Sequence, residues 1–312
     1  MAALEALLVD VLAASVRIGT PLLFAALGGI LSERAGVFAV GLEGMMLAGA
    51  FAGVIATQLL GHLGFGLVAS ALGGALLAVV VVVATQRYGA DQMVTGLAVN
   101  ILALGLTSFL LRGFGARGEA PVVRVPTLTP WPIPGLADLP VLGAVLFRQP
   151  PLTYAGILLT VVIAIVLART RMGLTLRAVG ENPHAAFAVG TDPVRVRSLA
   201  ILCGGAIAGL GGAVLSLQQV GTFTDGMTNG RGYIALAAII VGRWRPAAAL
   251  AACVVFGAAD ALQLRVQAFR LPVSSYVIQM TPYLVALAVL AGLGRSARLP
   301  AAIGVPFLRE RK

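Results

Sequence analysis

Residues 35–86 read AGVFAVGLEGMMLAGAFAGVIATQLLGHLGFGLVASALGGALLAVVVVVATQ, a run of 52 positions in which Glu43 is the single charge. A bilayer core about 30 Å thick is crossed by about 20 apolar residues in a helix. The run is therefore long enough for two membrane helices, and Gly61-His62 supplies the turn between them. No soluble fold accommodates so long an uncharged stretch at its surface, and the rest of the chain follows the same pattern.

Of the 312 residues, 59% are hydrophobic and 11% are charged. Soluble domains carry about 25% charged residues, and a disordered chain would be far more polar. The useful unit of reading is the membrane span. Gln92–Leu111, Gln149–Ala168, Ser198–Thr224 and Leu271–Gly294 are further charge-free runs, and Val11–Leu31 contains only Arg17. Gly232–Leu264 divides into two shorter apolar pieces around Gly242-Arg243-Trp244-Arg245-Pro246, the second holding Asp260. The fold class is all-α: a polytopic membrane helical bundle of eight or nine transmembrane helices, one of them short or broken near 221–242, forming a single transmembrane domain over 1–312. The acids Glu5 and Asp10 before the first apolar run, with no basic n-region, predict that the first span is retained.

Net charge is +10, and Lys312 is the only lysine among 22 basic residues. On a soluble chain this would suggest nucleic acid. On a membrane chain it predicts no nucleic acid partner, because basic residues gather in cytoplasmic loops. The segment 221–242 has two readings, a crossing or a re-entrant return. A crossing puts 14 basic residues on the cytoplasmic side against 7 outside, and a return leaves 9 against 12. The charge rule favours the crossing. It makes 112–150, rich in proline, an extracytoplasmic loop that cannot be a regular helix, and 169–197 a cytoplasmic loop.

Within that cytoplasmic loop Asn182 is a helix-capping residue, Pro183 suits a first helical position and Gly190 a stop. Asp192-Pro193 opens the next helix in the same way. The sequence thus writes a separate helix of about seven residues, Pro183–Val189. A helix so short needs a surface to pack on. Phe187 is its apolar knob among Ala185, Ala186 and Ala188. Two readings stand: the helix lies on its own bundle, or it docks on a motor subunit.

The chain carries no phosphate-binding lysine loop, and His62 and His184 are its only histidines, so a metal or hydrolytic centre has no residues to build on. Cys203 and Cys253 read as small buried apolar residues. The chain is expected to be a conduit, not an enzyme, driven by an ion gradient or by an ATPase on another polypeptide. Polar groups inside spans are costly and mark function or helix pairing. Glu43 and Asp260 are the intramembrane charges; for Glu43 an ion pair between helices is favoured over substrate contact, and Arg265 lies near Asp260 in sequence without quite facing it. Asn100, at mid-span, is either an interhelical hydrogen bond or a substrate contact. Gln218, Gln219, Phe223, Asp225, Gln263 and Gln279 complete the candidate substrate path. Arg17 is the one basic residue assigned to a span, which favours a neutral substrate.

Four stretches carry a family resemblance: Arg177-Ala178-Val179-Gly180-Glu181-Asn182-Pro183 with Ala185-Ala186 and Gly190; residues 34–46, RAGVFAVGLEGMM; residues 230–244, GRGYIALAAIIVGRW; and Ala259-Asp260-Ala261-Leu262-Gln263. Together they resemble ABC importer permeases of the branched-chain amino acid/ribose/nucleoside type, over roughly residues 15 to 295. The GRGYIALA form is similar to the nucleoside and simple-sugar subgroup, although Ala39-Val40-Gly41 stands where that subgroup has Asn-Leu-Gly or Asn-Ile-Gly. The resemblance implies a multi-pass permease subunit of the cell inner membrane, carrying nucleosides or related sugars. It implies Arg177, Glu181, Asn182, Pro183, Ala185, Ala186, Phe187 and Gly190 as the ATPase-coupling segment. It implies no cofactor on this chain, with ATP and Mg on a partner ATPase, and as further partners a second homologous permease, an extracytoplasmic substrate-binding protein and the lipid bilayer. A branched-chain amino acid or other sugar permease and an ion-coupled secondary transporter using Glu43 and Asp260 are the alternatives. A secondary transporter leaves the capped short helix unexplained, and a membrane scaffold leaves the two intramembrane charges unexplained.

Overall fold

Helix boundaries fall where the chain offers a cap or a stop. The computed structural model describes residues 2–114, 123–139, 141–268, 280–293 and 299–307. These form twelve α-helices and no strand. α1 (Ala2–Arg34) is followed by a non-helical stretch, 35–41, before α2 (Leu42–Leu60). The expected turn at Gly61-His62 divides α2 from α3 (Leu63–Val82), with His62 Nδ1 accepting from the Gly64 amide at 3.0 Å. α3 ends in a π-turn at Val83–Arg87, and Asp91 caps α4 (Gln92–Gly113) by accepting from the Val94 amide at 2.9 Å.

The proline-rich loop is largely irregular among its described residues. Its backbone runs beside the end of a later span, with Val125 N donating to Gly221 O at 2.9 Å and Leu128 N to Leu217 O at 3.0 Å. A single short helix, α5 (Leu142–Leu146), precedes α6 (Pro151–Arg169). Then come α7 (Arg171–Glu181), α8 (Pro183–Ala188) and α9 (Pro193–Ala213), the last extended by a π-turn at Val214–Val220. α10 (Arg231–Val241), α11 (Pro246–Ala268) and α12 (Thr281–Leu293) complete the fold.

Among the described residues, seven helices are long and apolar enough to cross a membrane: Val9–Arg34, Leu42–Leu60, Leu63–Arg87, Gln92–Gly113, Pro151–Arg169, Pro193–Val220 and Pro246–Gln267. α10 has 11 residues, about 16 Å of helix. The segment containing it nevertheless traverses the bundle. Gln219 Nε2 donates to Arg17 O at 2.9 Å, and the Arg34 guanidinium donates to Trp244 O at 3.2 and 3.1 Å. Arg17 and Arg34 are about 25 Å apart along α1. The chain from 220 to 244 thus runs from one end of the bundle to the other, first as an irregular stretch (221–230) and then as a half-length helix. This excludes the re-entrant alternative. Part of the span expected at 271–294 lies outside the described residues, and Gln279 with it.

Glu43 stands in the first turn of α2, because the chain leaves helical form at Ala35 and re-enters it at Leu42. The 169–197 segment holds not one helix but two before α9, since α7 precedes the capped short one.

α1, α2 and α9 make the centre of the bundle, with α3 and α11 packed on them. Without a hydrophobic drive between helices in lipid, close backbone approach has to supply the packing. Gly49 of α2 lies against the backbone of Gly209 in α9, and Gly74 of α3 against Gly205 and Gly209, with no room for a Cβ at any of them. The large apolar side chains of α3, α4 and α6, such as Leu72, Ile101, Phe109 and Leu158, point outward, as lipid-facing surfaces do. Arg34, Arg177, Arg197 and Arg245 gather at one end of the bundle, called here the arginine-rich end, and the 123–139 loop lies at the other.

The charge rule expects the arginine-rich end to face the cytoplasm. Asp138 in the loop and Val189 after α8 are both exposed. In a chain with Cys203 replaced, a membrane-impermeant thiol reagent applied to intact cells should modify a cysteine at 138 and spare one at 189. The opposite labelling would invert the orientation.

Candidate functional site

Two helices begin inside the bundle, α2 at Leu42 and α10 at Arg231. A helix start leaves amide groups without intrahelical partners, and in a bilayer core no water is present to satisfy them. Side chains from neighbouring helices do so. Asn100 of α4 accepts from Gly44 N at 2.8 Å through Oδ1, and its Nδ2 donates to Val40 O at 3.0 Å and to the Tyr233 hydroxyl at 2.9 Å. Glu43 of α2 accepts from Gly230 N at 2.8 Å and from Gly232 N at 2.6 Å. Gly230 holds a left-handed conformation, φ 77°, which aims its amide at Glu43. Gly232 lies against the Glu43 backbone, so that a Cβ there would collide with it.

Glu43 therefore joins two helices, as expected, but by capping a helix start and not through an ion pair. The carboxylate is also favoured by the positive end of the α10 dipole. Asn100 spends its hydrogen-bonding groups on the same joint. The irregular stretch 35–41 is served alike: Gln92 Oε1 accepts from Phe38 N at 2.7 Å, and Glu33 Oε1 from Ala39 N at 3.4 Å. Glu33 Oε2 also accepts from the indole of Trp244 at 2.6 Å, so Glu33 and Arg34 together clamp the turn that ends α10.

Beside this joint, between α10, α11 and α12, opens a cavity of about 620 Å³. Its polar lining is Asn229, Arg231, Asp260, Gln263, Gln267 and Tyr283, and Ile18, Ile234, Leu264 and Met280 supply the apolar part. Arg231 Nη2 lies 3.8 Å from Asp260 Oδ2. Asp260 is 14 residues into α11, about 21 Å along the helix, so the pair sits within the membrane-spanning part. As expected, Arg265 does not face Asp260: it pairs with Asp10 at 3.4 Å, and the partner of Asp260 is Arg231. Arg17, the arginine assigned to a span, is exposed on α1, whereas Arg231 is withdrawn into the bundle, and the charge beside it leaves the site neutral.

The other candidate path residues are dispersed. Gln218 caps the start of α6, accepting from Leu152 N at 3.1 Å and donating to Thr153 Oγ1 at 3.3 Å. Phe223 is buried edge-on against Phe51 with ring centres 5.3 Å apart. Gln219 lies on the Arg17 backbone and Asp225 is exposed in the 221–230 stretch. Of the candidate path residues and intramembrane charges that fall among the described residues, Gln263 and Asp260 line the cavity.

At the arginine-rich end, Asn182 Oδ1 accepts from Ala185 N at 2.9 Å and starts α8, and Gly190, φ 90°, ends it. Pro183 and Ala186 are buried, and Ala185 and Phe187 are exposed. The C-terminal stretch 299–307 passes beneath. Ala302 N donates to Gly180 O at 2.9 Å, Ala301 N to Glu181 Oε2 at 3.4 Å, and Phe307 meets the rings of His184 and Phe187 at 5.0 and 5.7 Å. Arg197 is fully buried and binds this stretch to the end of α1, donating to Ala35 O at 3.1 Å, Val305 O at 2.9 Å and Ala302 O at 3.3 Å. Arg177 Nε turns back to Gly173 O at 3.3 Å.

Residues 11–299 match the family model described as the permease component of the branched-chain amino acid transport system. The chain belongs to this permease family. It is 35% identical over 304 residues, 94% of each chain, to the guanosine ABC transporter permease NupQ of Bacillus subtilis. It has the same identity and coverage with the nucleoside ABC transporter permease NupC of Lactococcus lactis. With the glucose ABC transporter permease TsgC13 of Haloferax volcanii it is 40% identical over 262 residues, covering 83% of this chain and 78% of that one. An inward-facing ABC transporter of the metal-chelate type shares the fold, with TM-score 0.50, 16% identity and coverage of 89% and 85%. The chain is thus a multi-pass membrane permease, and its relatives are transport subunits.

Sequence reading missed Glu33, Arg197 and Arg231 in this permease. Each charge stands near the edge of an apolar run, where it reads as a solvated flank. The glycines of Gly230-Arg231-Gly232 were the available signal that a backbone approach is close there. Replacing Glu43 by Gln puts an amide donor where an acceptor is required and removes the charge from two hydrogen bonds. The expected cost is about 1–3 kcal/mol, seen as a lower melting temperature and less assembled permease. Transport per assembled molecule should hold. Unchanged melting would mean that the Gly230 and Gly232 amides have another partner.

Proposed function

We propose that this permease carries nucleosides or related sugars into the cell as the membrane subunit of an ABC importer, with ATP and Mg bound and hydrolysed on a separate ATPase chain. Near-complete coverage of relatives named for guanosine and nucleoside transport is the observation that carries this reading. A cavity of neutral net charge, lined by amides and a tyrosine beside aliphatic groups, suits such a ligand better than it suits an amino acid. An amino acid carboxylate calls for an unshared arginine or an open helix start, whereas Arg231 is shared with Asp260 and the α10 start with Glu43. A second permease chain would complete the pathway, and an extracytoplasmic binding protein would deliver the substrate. The arginine-rich end then faces the cytoplasm and α8 meets the ATPase.

The complete transporter, reconstituted in proteoliposomes with its ATPase and binding protein, should accumulate tritiated guanosine only when ATP is present on the ATPase side. Accumulation by the permease alone, driven by a proton or sodium gradient, would instead identify a secondary transporter.

Phe187 reaches outward from α8 while leaning on Phe307, a half-fixed aromatic of the kind that anchors interfaces. Truncating such an anchor costs about 2 kcal/mol or more, roughly a 30-fold loss of affinity. Phe187→Ala should therefore lose the ATPase during purification while the bundle keeps its melting temperature. Equal ATPase recovery with equal uptake would make α8 a helix that serves only its own bundle.

A further inference from the structure

One feature of the cavity is used neither by helix packing nor by capping. Arg231 and Asp260 face each other at 3.8 Å, well beyond the roughly 2.7–2.9 Å of a closed charge-assisted hydrogen bond. Both are largely withdrawn from solvent, at 27% and 14% side-chain exposure. Among the described residues, the buried Nε of Arg231 has no hydrogen-bond partner, and its Nη1 makes one long contact, 3.4 Å, to Met227 O. Buried polar groups left open in this way are costly. A pair that served only to join α10 to α11 would gain by closing, and the arginine stem is flexible enough to close it. The pair instead stands apart at the wall of a cavity of about 620 Å³, within the range of small-molecule sites.

We propose that the Arg231–Asp260 pair is the subsite that holds the vicinal diol of the transported molecule, as on a ribose ring. One hydroxyl donates to the Asp260 carboxylate, and its neighbour accepts from the Arg231 guanidinium. The ligand thereby closes the open pair without adding charge. Gln263 and Gln267 lie one turn apart on α11, above Asp260, and offer amides to the polar edge of a base or to further hydroxyls. Ile18, Ile234 and Leu264 receive the apolar faces. This subsite rests on the nucleoside-or-sugar reading given above.

The test compares the complete transporter in proteoliposomes, wild type and Asp260→Asn, each with the same unaltered ATPase and binding protein. Uptake of guanosine and of 2′,3′-dideoxyguanosine is measured at saturating concentration. Wild type should import guanosine roughly tenfold or more faster than the dideoxy compound, as expected for loss of hydrogen bonds to charged groups. Asp260→Asn should lower guanosine uptake by a similar factor, leave dideoxyguanosine nearly unchanged and bring the ratio close to one. A purely structural role would lower both by the same factor, and that result, or an unchanged ratio, overturns the subsite. If wild type imports neither nucleoside nor any simple sugar, the transport reading itself is wrong and the subsite falls with it. Should Asp260→Asn not assemble, Gln267→Leu takes its place, because it alters the same cavity without touching the ion pair. It should reduce guanosine uptake severalfold at unchanged permease abundance, and normal uptake would count against the site.

Discussion

Two helix starts buried at mid-bundle are the constraint around which this permease is arranged. Each exposes amide groups in a medium that offers no water, and each is closed by a side chain from another helix. Glu43 closes α10 with bonds of 2.8 and 2.6 Å, and Asn100 closes α2 at 2.8 Å while holding Val40 and Tyr233. Because the capping groups belong to α2 and α4, the three helices cannot be placed independently. Breaking one bond leaves buried donors without acceptors, a penalty of about 1–3 kcal/mol each.

The same constraint accounts for the irregular backbone. Residues 35–41 and 221–230 approach these starts with scattered turn bonds, such as Gly36 N to Glu33 O at 3.0 Å and Asn229 N to Gly226 O at 2.9 Å, in place of a continuous helical ladder, which is tolerated at membrane depth only where protein groups or a cavity satisfy the rest of the chain. Gln92 and Glu33 do so for the first stretch. The second borders the cavity through Asn229. The short length of α10 is thus a condition for the polar cavity. A continuous helix through 221–241 would have kept its backbone groups to itself and left the Arg231–Asp260 pair without the joint that positions it.

At the arginine-rich end the chain is held by a different device. Arg197 is buried, and its guanidinium serves three backbone carbonyls from the end of α1 and from the C-terminal stretch. A planar guanidinium with several fixed donors suits this role in a way that a lysine does not. The C-terminal stretch in turn underlies α8 through Phe307 and touches Glu181. α8, with six helical residues, is too short to be stable alone, and its attachment to α1 and α9 by way of this stretch gives it a fixed position on the bundle.

Much of this architecture was legible in residues 35–86 and in the capping signals. Apolar length dictates membrane helices, Gly61-His62 dictates their turn, and Asn182-Pro183 with Gly190 dictates α8, because span length and cap chemistry are local properties of the chain. The family could also be read, since its motifs are contiguous. What the sequence did not reveal was partnership. Glu43 looked like half of an ion pair and proved to be a helix cap, while Asp260 paired with Arg231, 29 positions earlier, and not with Arg265, five positions later. Asn100, open to either an interhelical bond or a substrate, and Gln218, a candidate for the path, are spent on the backbone and side chains of neighbouring helices. A polar group in a membrane must find a partner, and its sequence says so. Which partner it finds depends on which helices pack side by side, and that was decided by the close glycine contacts among α2, α3 and α9 and by the two helix starts that had to be closed.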